Sequence, residues 1–362
     1  MKKKKIVFVF NAIIARCIKR VEEFLDNGYE VEVYAFRRGG ESNMQSDNFS
    51  ISIIGEHDTS MNYLKRALII RKSLKQLFKK YENKDVVYYF FFFDVASIAY
   101  RMCGKPYIYE ESDMPYTNIR WEFVRNFLAV IDRDIIRQSL LTTLTSEGFV
   151  EYHYGKKYPD NIIVVPNRVN PKLLNIKFEK SEIDINHIRF SYVGGFRYLT
   201  TLNFIKFAAK HFPQHTFSIY GNIMRYEEEL MALAKMYSNI HVYGTFKNPD
   251  DLSSIYSVTD FVLANYNSLS VNAQYAEPNK MYEAIFFSTP IIVSSGTFLE
   301  RKVKRLGIGY GIDSNNEDSV IELINKINIE DYRIKQNNCL RLPKSYSVNK
   351  NPKLFEYLDI NM

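Results

Sequence analysis

Glu277, Lys280 and Glu283 follow one another at intervals of three in the segment EPNKMYEAIFFSTPIIVSS, residues 277–295. That spacing puts Lys280 and Glu283 on one face of a helix. Pro278 cannot extend a strand, and Asn279 is read as the helix N-cap. A solvated Lys–Glu pair would be the ordinary explanation. However, Ala284, Ile285, Phe286 and Phe287 make the helix apolar all round, so it is expected to be mostly buried with only its start open. A carboxylate at such a start can accept two hydrogen bonds from a sugar diol. A second group lies in SYVGGFRYLTTLNF, where Gly194, Gly195 and Arg197 separate a strand from a helix. Glycines admit a ligand close to the backbone, the helix start offers unpaired N–H groups, and an arginine adds a fixed charge suited to phosphate. A plain strand-to-helix turn with a surface arginine would use the same residues.

These residues have to be positioned by strand ends. KIVFVF reads as a buried strand; Ile14, Cys17, Ile18, Val21, Phe24 and Leu25 then recur at helical spacing until Gly28. YEVEVYAF, DVVYYFFFF, KPYIYE and LLTTLTS continue the strands of the first half, with a helix near VASIAYRM and a long helix through Trp121 and Ile136. IRFSYVGG, TFSIYG, IHVYG, DFVLANY, PIIVSS and GIGYGI repeat the rhythm in the second half. Continuous apolar strands separated by helices imply parallel sheets covered on both faces. The expected fold class is α/β, with two Rossmann-like doubly wound domains facing a cleft. The predicted domains are 1–170 and 171–344, divided near VVPNRVNPKLLNIKFEKSEIDINH, with a C-terminal helix over 345–362 packing back on the first. Ligands of such sheets bind beyond the carboxyl ends of the strands. Gly221 in IYGN and Gly244 before Thr245 and Phe246 are further glycine turns there, weak signals singly.

Composition sets the outer bounds. The 362 residues are 46 % hydrophobic and 25 % charged, as in a soluble globular chain of two domains. The Tyr and Phe excess is read as compositional bias. The net charge is +7, and residues 1–170 carry 26 basic against 21 acidic side chains, so the excess favours an anionic partner for that half. Cys17, Cys103 and Cys339 are too scattered for a disulfide framework or a zinc site. MKKKKIVFVFN is too short in apolar residues for a signal peptide, and VVYYFFFFD is far below a membrane span, so a reducing cytoplasm is expected.

Several patterns are set aside. Asp132 and Asp134 in IDRD sit within a helical period and read as a solvated face, not a metal site. His211 and His215 are interrupted by Pro213 and read as surface residues. GIGYG, residues 307–311, lacks the placement of a dinucleotide fingerprint, and the first turn, FNAIIA, has no glycines. YLKRALIIRKSLKQLFKKY, residues 63–81, is a basic amphipathic helix. It reads either as a domain helix with a solvated face or as a dock for an anionic bilayer.

The order VGGFR, IYGN, HVYGTF, LSSIYSVTDFVLANY, EPNKMYEA, TPIIVSS resembles the donor-binding half of GT-B glycosyltransferases, close to the retaining family 4 type. RVEEFLDNGYEVEVYAF, YEESDMPY, LTSEGF and VVPNRVN resemble its acceptor side, so the resemblance spans nearly the whole chain. It implies sugar transfer from a nucleoside-diphosphate sugar (UDP- or GDP-linked) to a glycan or lipid-linked glycan in surface-polysaccharide synthesis such as a capsule. It implies no metal, no further cofactor and no nucleic-acid partner. Arg197 would neutralise the diphosphate with Gly194, Gly195 and Gly221 close by. Glu283 would hold the ribose hydroxyls, and Glu277, Pro278, Asn279 and Lys280 would hold the donor sugar and β-phosphate. Thr245 and Phe246 would lie near the base. On the acceptor side stand Asn11, Arg16 and Asp113, the last either orienting an acceptor hydroxyl or capping a turn.

Two departures from the family pattern stand out. Its two glutamates are separated by seven residues, whereas five separate Glu277 from Glu283. Either Tyr275 occupies the first position or a two-residue deletion puts Glu277 there. Many members also carry a lysine soon after the arginine; Thr200 and Thr201 occupy that region, and Lys280 would supply the charge. The alternatives are a non-hydrolysing sugar-nucleotide epimerase of the same fold, or a nucleotide-sugar-binding module without turnover.

Overall fold

A computed structural model describes residues 3–39, 46–58 and 60–362. The first two residues of the basic start lie outside them. The chain divides into two compact units, Met1–Val165 with Asn351–Met362, and Pro166–Lys350.

The first unit is built on β1 (Lys5–Phe10), β2 (Val31–Arg38), β3 (Ile51–His57), β4 (Val86–Phe91), β5 (Tyr107–Glu111), β6 (Leu141–Leu144) and β7 (Ile162–Val164). All pairs are parallel, in the order β3-β2-β1-β4-β5-β6-β7. β4 explains why the aromatic run is so dense. Every residue of VVYYFF is buried, because helices cover both faces. Tyr89 stacks on Phe8 at 4.7 Å on one face, while Tyr88 meets Phe78 of the helix Tyr63–Lys80 at 4.9 Å on the other. β3 was not foreseen. It is an edge strand in which only His57 is buried, so its apolar pattern is weak.

The C-terminal helix Pro352–Asn361 belongs to this unit. Leu354, Phe355 and Leu358 join the core, with Phe355 5.1 Å from the Phe24 ring centre. Asn351 Nδ2 donates to Glu23 Oε1 at 2.7 Å and Tyr29 Oη to Asp359 Oδ1 at 3.1 Å.

The second unit carries β8 (Arg189–Val193), β9 (Thr216–Tyr220), β10 (Ile240–Gly244), β11 (Phe261–Ala264), β12 (Ile291–Ser294) and β13 (Gly309–Ile312). They are parallel, in the order β10-β9-β8-β11-β12-β13. Phe190 anchors the core between Phe217 at 5.2 Å and Phe261 at 5.6 Å, one ring from each flanking strand. The entry to β11 is held by buried Asp260, which accepts from Arg189 Nη2 at 2.8 Å.

Both sheets are doubly wound and Rossmann-like. Strand order reverses between β1 and β4 in one and between β8 and β11 in the other. Ligands of such sheets gather at the carboxyl ends flanking that reversal.

Candidate functional site

At the reversal in the second unit, β8 runs directly into Gly194 and Gly195. Gly194 (φ 123°) and Gly221 (φ 129°) both take backbone conformations closed to other residues. The turns lie so close that a Cβ on Gly221 would come 2.2 Å from the Gly194 carbonyl oxygen. Gly194 N–H donates to the Tyr220 carbonyl at 2.7 Å, tying the ends of β8 and β9 together. A Cβ on Gly194 would stand 3.3 Å from Lys280 Nζ, so the lysine tip lies directly over this turn.

Lys280 belongs to the helix Asn279–Phe286, every residue of which is buried from Lys280 onward. Its ammonium lies 4.2 Å from the Tyr192 ring centre, and it donates to Tyr266 Oη at 3.4 Å. Burial lowers its pKa to about 8; Glu283 acts in the opposite direction and the Arg197 charge in the same one. Arg197 is exposed, and its guanidinium lies 5.1 Å from the Tyr198 ring. Tyr198 stacks on Tyr266 at 4.5 Å. Two cations therefore share one aromatic stack and repel each other. Such an arrangement favours an anion between or beside them.

Glu283 is fully formed as an acceptor group. Its Oε2 accepts from Tyr256 Oη at 2.9 Å and its Oε1 from Asn279 Nδ2 at 2.8 Å. Asn279 is thus the first helical residue, donating to Glu283; Pro278 holds the N-cap position without a side-chain bond. This corrects the expected Asn279 cap: a proline N-cap leaves the amide free to reach the next turn. Glu277 is deeply buried and turned to other partners. Its Oε2 accepts from Lys302 Nζ at 2.7 Å and from Tyr282 Oη at 2.5 Å. Thr200 and Thr201 both donate to the Asn265 carbonyl, at 2.6 and 2.9 Å, fixing the chain just after β11. Thr245 is exposed after β10, and the half-buried Phe246 packs against the core cluster that includes Met281 and Tyr282.

In the first unit, Asn11 follows β1 and is buried at the other reversal. It donates to Asp94 Oδ2 at 3.0 Å, and its Oδ1 lies 2.9 Å from His57 Nε2 at the end of β3. Arg66 reaches the same aspartate at 3.3 Å. Burial, with the Arg38 and Arg66 charges, lowers the His57 pKa. Phe92, between β4 and Asp94, holds a left-handed φ of 70°, a strained position for a ring-bearing residue. Arg16 is half-buried in the first turn of the helix Ala15–Asp26. Asp113 is exposed after β5.

The two glutamates ahead of Asp113 are core groups. Glu110 Oε2 accepts from Arg20 Nε at 2.9 Å and from Tyr89 Oη at 2.5 Å. Glu111 Oε2 lies 3.0 Å from His153 Nε2. Asp132 is fully buried beside them, which corrects the solvated-face reading. Its position in the helix Glu122–Gln138 faces the sheet, where Tyr109 Oη donates to its Oδ1 at 3.0 Å. Asp134 instead pairs with Arg101 at 3.0 Å. Glu111, Asp132 and His153 have the donor types of a cation site, with ligand atoms within 4.8 Å. Burial raises the Glu111 pKa well above the usual range. It pushes Asp132 up to about 8, with the Glu111 charge adding to the effect, and it lowers His153. With Tyr109 on Asp132 and His153 on Glu111, the cluster reads as a buried hydrogen-bonded core network. His215 is likewise buried, accepting from Ile188 N–H at 3.2 Å, while His211 pairs with Glu317 at 2.7 Å.

Tyr192, Tyr256, Tyr266 and Lys302 were missed by sequence reasoning. Tyrosines are so frequent here that no single one stands out, and Lys302 is linked to Glu277 only by folding.

The fold is that of the GT-B glycosyltransferases. Neither a family model nor a curated protein matches the sequence. Among solved structures, HepE of Anabaena in complex with UDP and glucose superposes with a TM-score of 0.68 at 13 % identity, covering 98 % of this chain and 99 % of that one. WaaG, a glycosyltransferase involved in lipopolysaccharide biosynthesis, gives 0.66 at 13 %, covering 99 % of each. The UDP-GlcNAc 2-epimerase of Neisseria meningitidis bound to UDP-GlcNAc gives 0.66 at 14 %, covering 99 % and 100 %.

Proposed function

We propose that this chain is a GT-B glycosyltransferase that moves a sugar from a nucleoside-diphosphate sugar, UDP- or GDP-linked, to a glycan or lipid-linked glycan during surface-polysaccharide synthesis. The observation that carries the reading is Lys280 over the Gly194 turn, with Arg197 on the same aromatic stack and the Glu283 carboxylate one helical turn away. Two cations beside a glycine turn suit a diphosphate, and a braced carboxylate suits a ribose diol. HepE with UDP and glucose, and the lipopolysaccharide role printed for WaaG, support the same reading.

Transfer would rest on positioning and on stabilising the leaving diphosphate. The sugar–phosphate bond breaks as the acceptor oxygen attacks from the same face, and the departing phosphate oxygen takes the acceptor proton. The product then retains the anomeric configuration. Arg197 and Lys280 would hold the phosphates, Gly194, Gly195 and Gly221 would allow their approach, and Pro278 and Asn279 would shape the sugar side. Thr245 and Phe246 would flank the base. Asn11, Arg16 and Asp113 would serve the acceptor, with no metal required. Glu277 would belong to the sugar side of this loop and brace it through Lys302. The helix Tyr63–Lys80 carries seven basic residues and no acid, which favours a peripheral position on the inner face of the plasma membrane.

A sugar-nucleotide epimerase is the second reading, favoured by the epimerase of matching fold. A thermal-shift screen of UDP-, GDP-, CMP- and dTDP-sugars tests the site, because a ligand of the native state raises stability. Product analysis with and without acceptor then separates the two. Epimerised donor formed without acceptor would overturn transfer, and binding with neither reaction would leave a nucleotide-sugar-binding module.

A further inference from the structure

β1 and β4 are neighbours at the strand reversal of the first sheet. Asn11 follows β1 directly and is buried. Phe92 follows β4 directly, with φ 70° and ψ 146°. Glycine would make that turn without strain. What phenylalanine adds is a ring, 5.7 Å from the Phe91 ring centre and left half-exposed.

Asp94, two residues on, lies in the first turn of the helix Phe93–Ala99. Its Oδ2 accepts from Asn11 Nδ2 at 3.0 Å and faces Arg66 Nη2 at 3.3 Å. Asn11 is fixed in turn, with its Oδ1 2.9 Å from His57 Nε2. The other carboxylate oxygen, Oδ1, has no hydrogen-bond partner among the described residues, yet it is not sealed from solvent. Arg66 also lies 5.2 Å from the ring centre of the exposed Tyr63. A carboxylate in the first turn suits the helix dipole wherever it points. The dipole does not require Asn11, His57 and Arg66 to fix its direction.

The ligand follows from this chemistry. An open carboxylate oxygen accepts from a hydroxyl, and the guanidinium beside it can donate to a second. The Phe92 and Tyr63 rings offer apolar ground to the C–H face of a sugar. A phosphate suits the place poorly, because Arg66 is already paired with Asp94 and the open oxygen carries like charge. We infer that Asp94, braced by Asn11 and Arg66 and flanked by the Phe92 ring, binds an uncharged sugar of the acceptor through hydroxyls next to the attacking one, an inference that rests on the transferase reading above and names the acceptor class. Asp94 takes no proton in this arrangement; the departing phosphate oxygen does, as before.

The test uses the nucleotide sugar with the largest thermal shift as donor. The acceptor probes are octyl glucoside, octyl galactoside and octyl N-acetylglucosaminide. Asp94→Asn should raise the acceptor KM by about tenfold or more, with kcat changed less. For a glycoside that binds without turnover, the dissociation constant from saturation-transfer titration should rise by the same factor. Phe92→Gly allows the turn and loses the ring, and should weaken the glycoside likewise. It decides the matter where Asp94→Asn does not fold. Calorimetric donor affinity should be unchanged in both variants, since the donor residues lie in the second unit. A role at the helix start alone would lower the unfolding temperature of Asp94→Asn and leave the acceptor KM unmoved; that result would overturn the inference. So would the absence of saturation transfer to all three glycosides, because the site as described takes any neutral ring with adjacent hydroxyls. Donor hydrolysis without glycoside binding would remove this site and leave the transferase reading. Glycoside binding that Asp94→Asn abolishes, with no nucleotide sugar bound, would do the reverse.

Discussion

Lys280 Nζ lies 4.2 Å from the centre of the Tyr192 ring, over the Gly194 turn and beside Tyr266. A buried ammonium facing aromatic rings is stabilised by their π-faces yet poorly solvated, which is why its pKa falls to about 8. The charge is therefore present at neutral pH and lost just above it. Nucleoside-diphosphate affinity should drop by about tenfold between pH 7 and 9, as the protonated fraction falls by that factor. Calorimetric titration with UDP or GDP checks this. Lys280→Arg keeps its charge over that range and should abolish the pH dependence.

Arg197 and Glu283 would act on different parts of the donor, so their losses should be separable. Arg197→Ala and Glu283→Ala should each weaken donor binding by about 2 kcal/mol, the scale of a lost charged hydrogen bond. Arg197→Ala should weaken binding of inorganic pyrophosphate as well, whereas Glu283→Ala should spare it. Tyr256→Phe removes one hydrogen bond to Glu283 and should give a smaller loss of the same kind. Unchanged donor affinity in both alanine variants would refute these site assignments.

Glu277 and Lys302 form a buried ion pair at 2.7 Å. Removing one partner strands the other charge away from water. Glu277→Ala should cost about 3–5 kcal/mol of stability, read from urea denaturation. The double change Glu277→Gln with Lys302→Met should cost less than Glu277→Ala alone. A large loss of transfer in the double variant with stability intact would instead give Glu277 a direct role in the reaction.

Asp132 should make the first unit less stable as pH rises. Burial lifts its folded pKa to about 8, above the unfolded value of 3.8, so between these limits the native state holds more protons than the unfolded chain. Its contribution is fully present below about pH 4 and is lost as pH rises through about 8, with a slope of at most about 1.4 kcal/mol per pH unit. Asp132→Asn should flatten that part of the stability curve. A steeper curve in the variant would contradict the assignment.

Much of the architecture was legible before folding. The apolar runs of β4 and β12 have no alternation, and only a sheet covered on both faces buries such runs completely. The glycine turns at Gly194 and Gly221 were visible for a similar reason, since few other residues tolerate those backbone angles. β3 escaped notice because only its last residue, His57, is buried, so burial enforces no alternation along it. Asp132 was misjudged because its helical period is shared by two apolar faces, and sequence spacing does not say which one meets the sheet.

The sequence by itself determined the parallel sheets, the glycine turns and the buried helix that begins beside Lys280, because these follow from local backbone preference and hydrophobic period. Only the tertiary structure decided which charge meets which partner. Glu277 and Glu283 start the same segment, yet one turns to Lys302 and the other to Tyr256 and Asn279. Each also has a partner within the segment, Tyr282 for Glu277 and Asn279 for Glu283; what separates them is Lys302 and Tyr256, which other elements bring within hydrogen-bond reach, and long-range packing sets those.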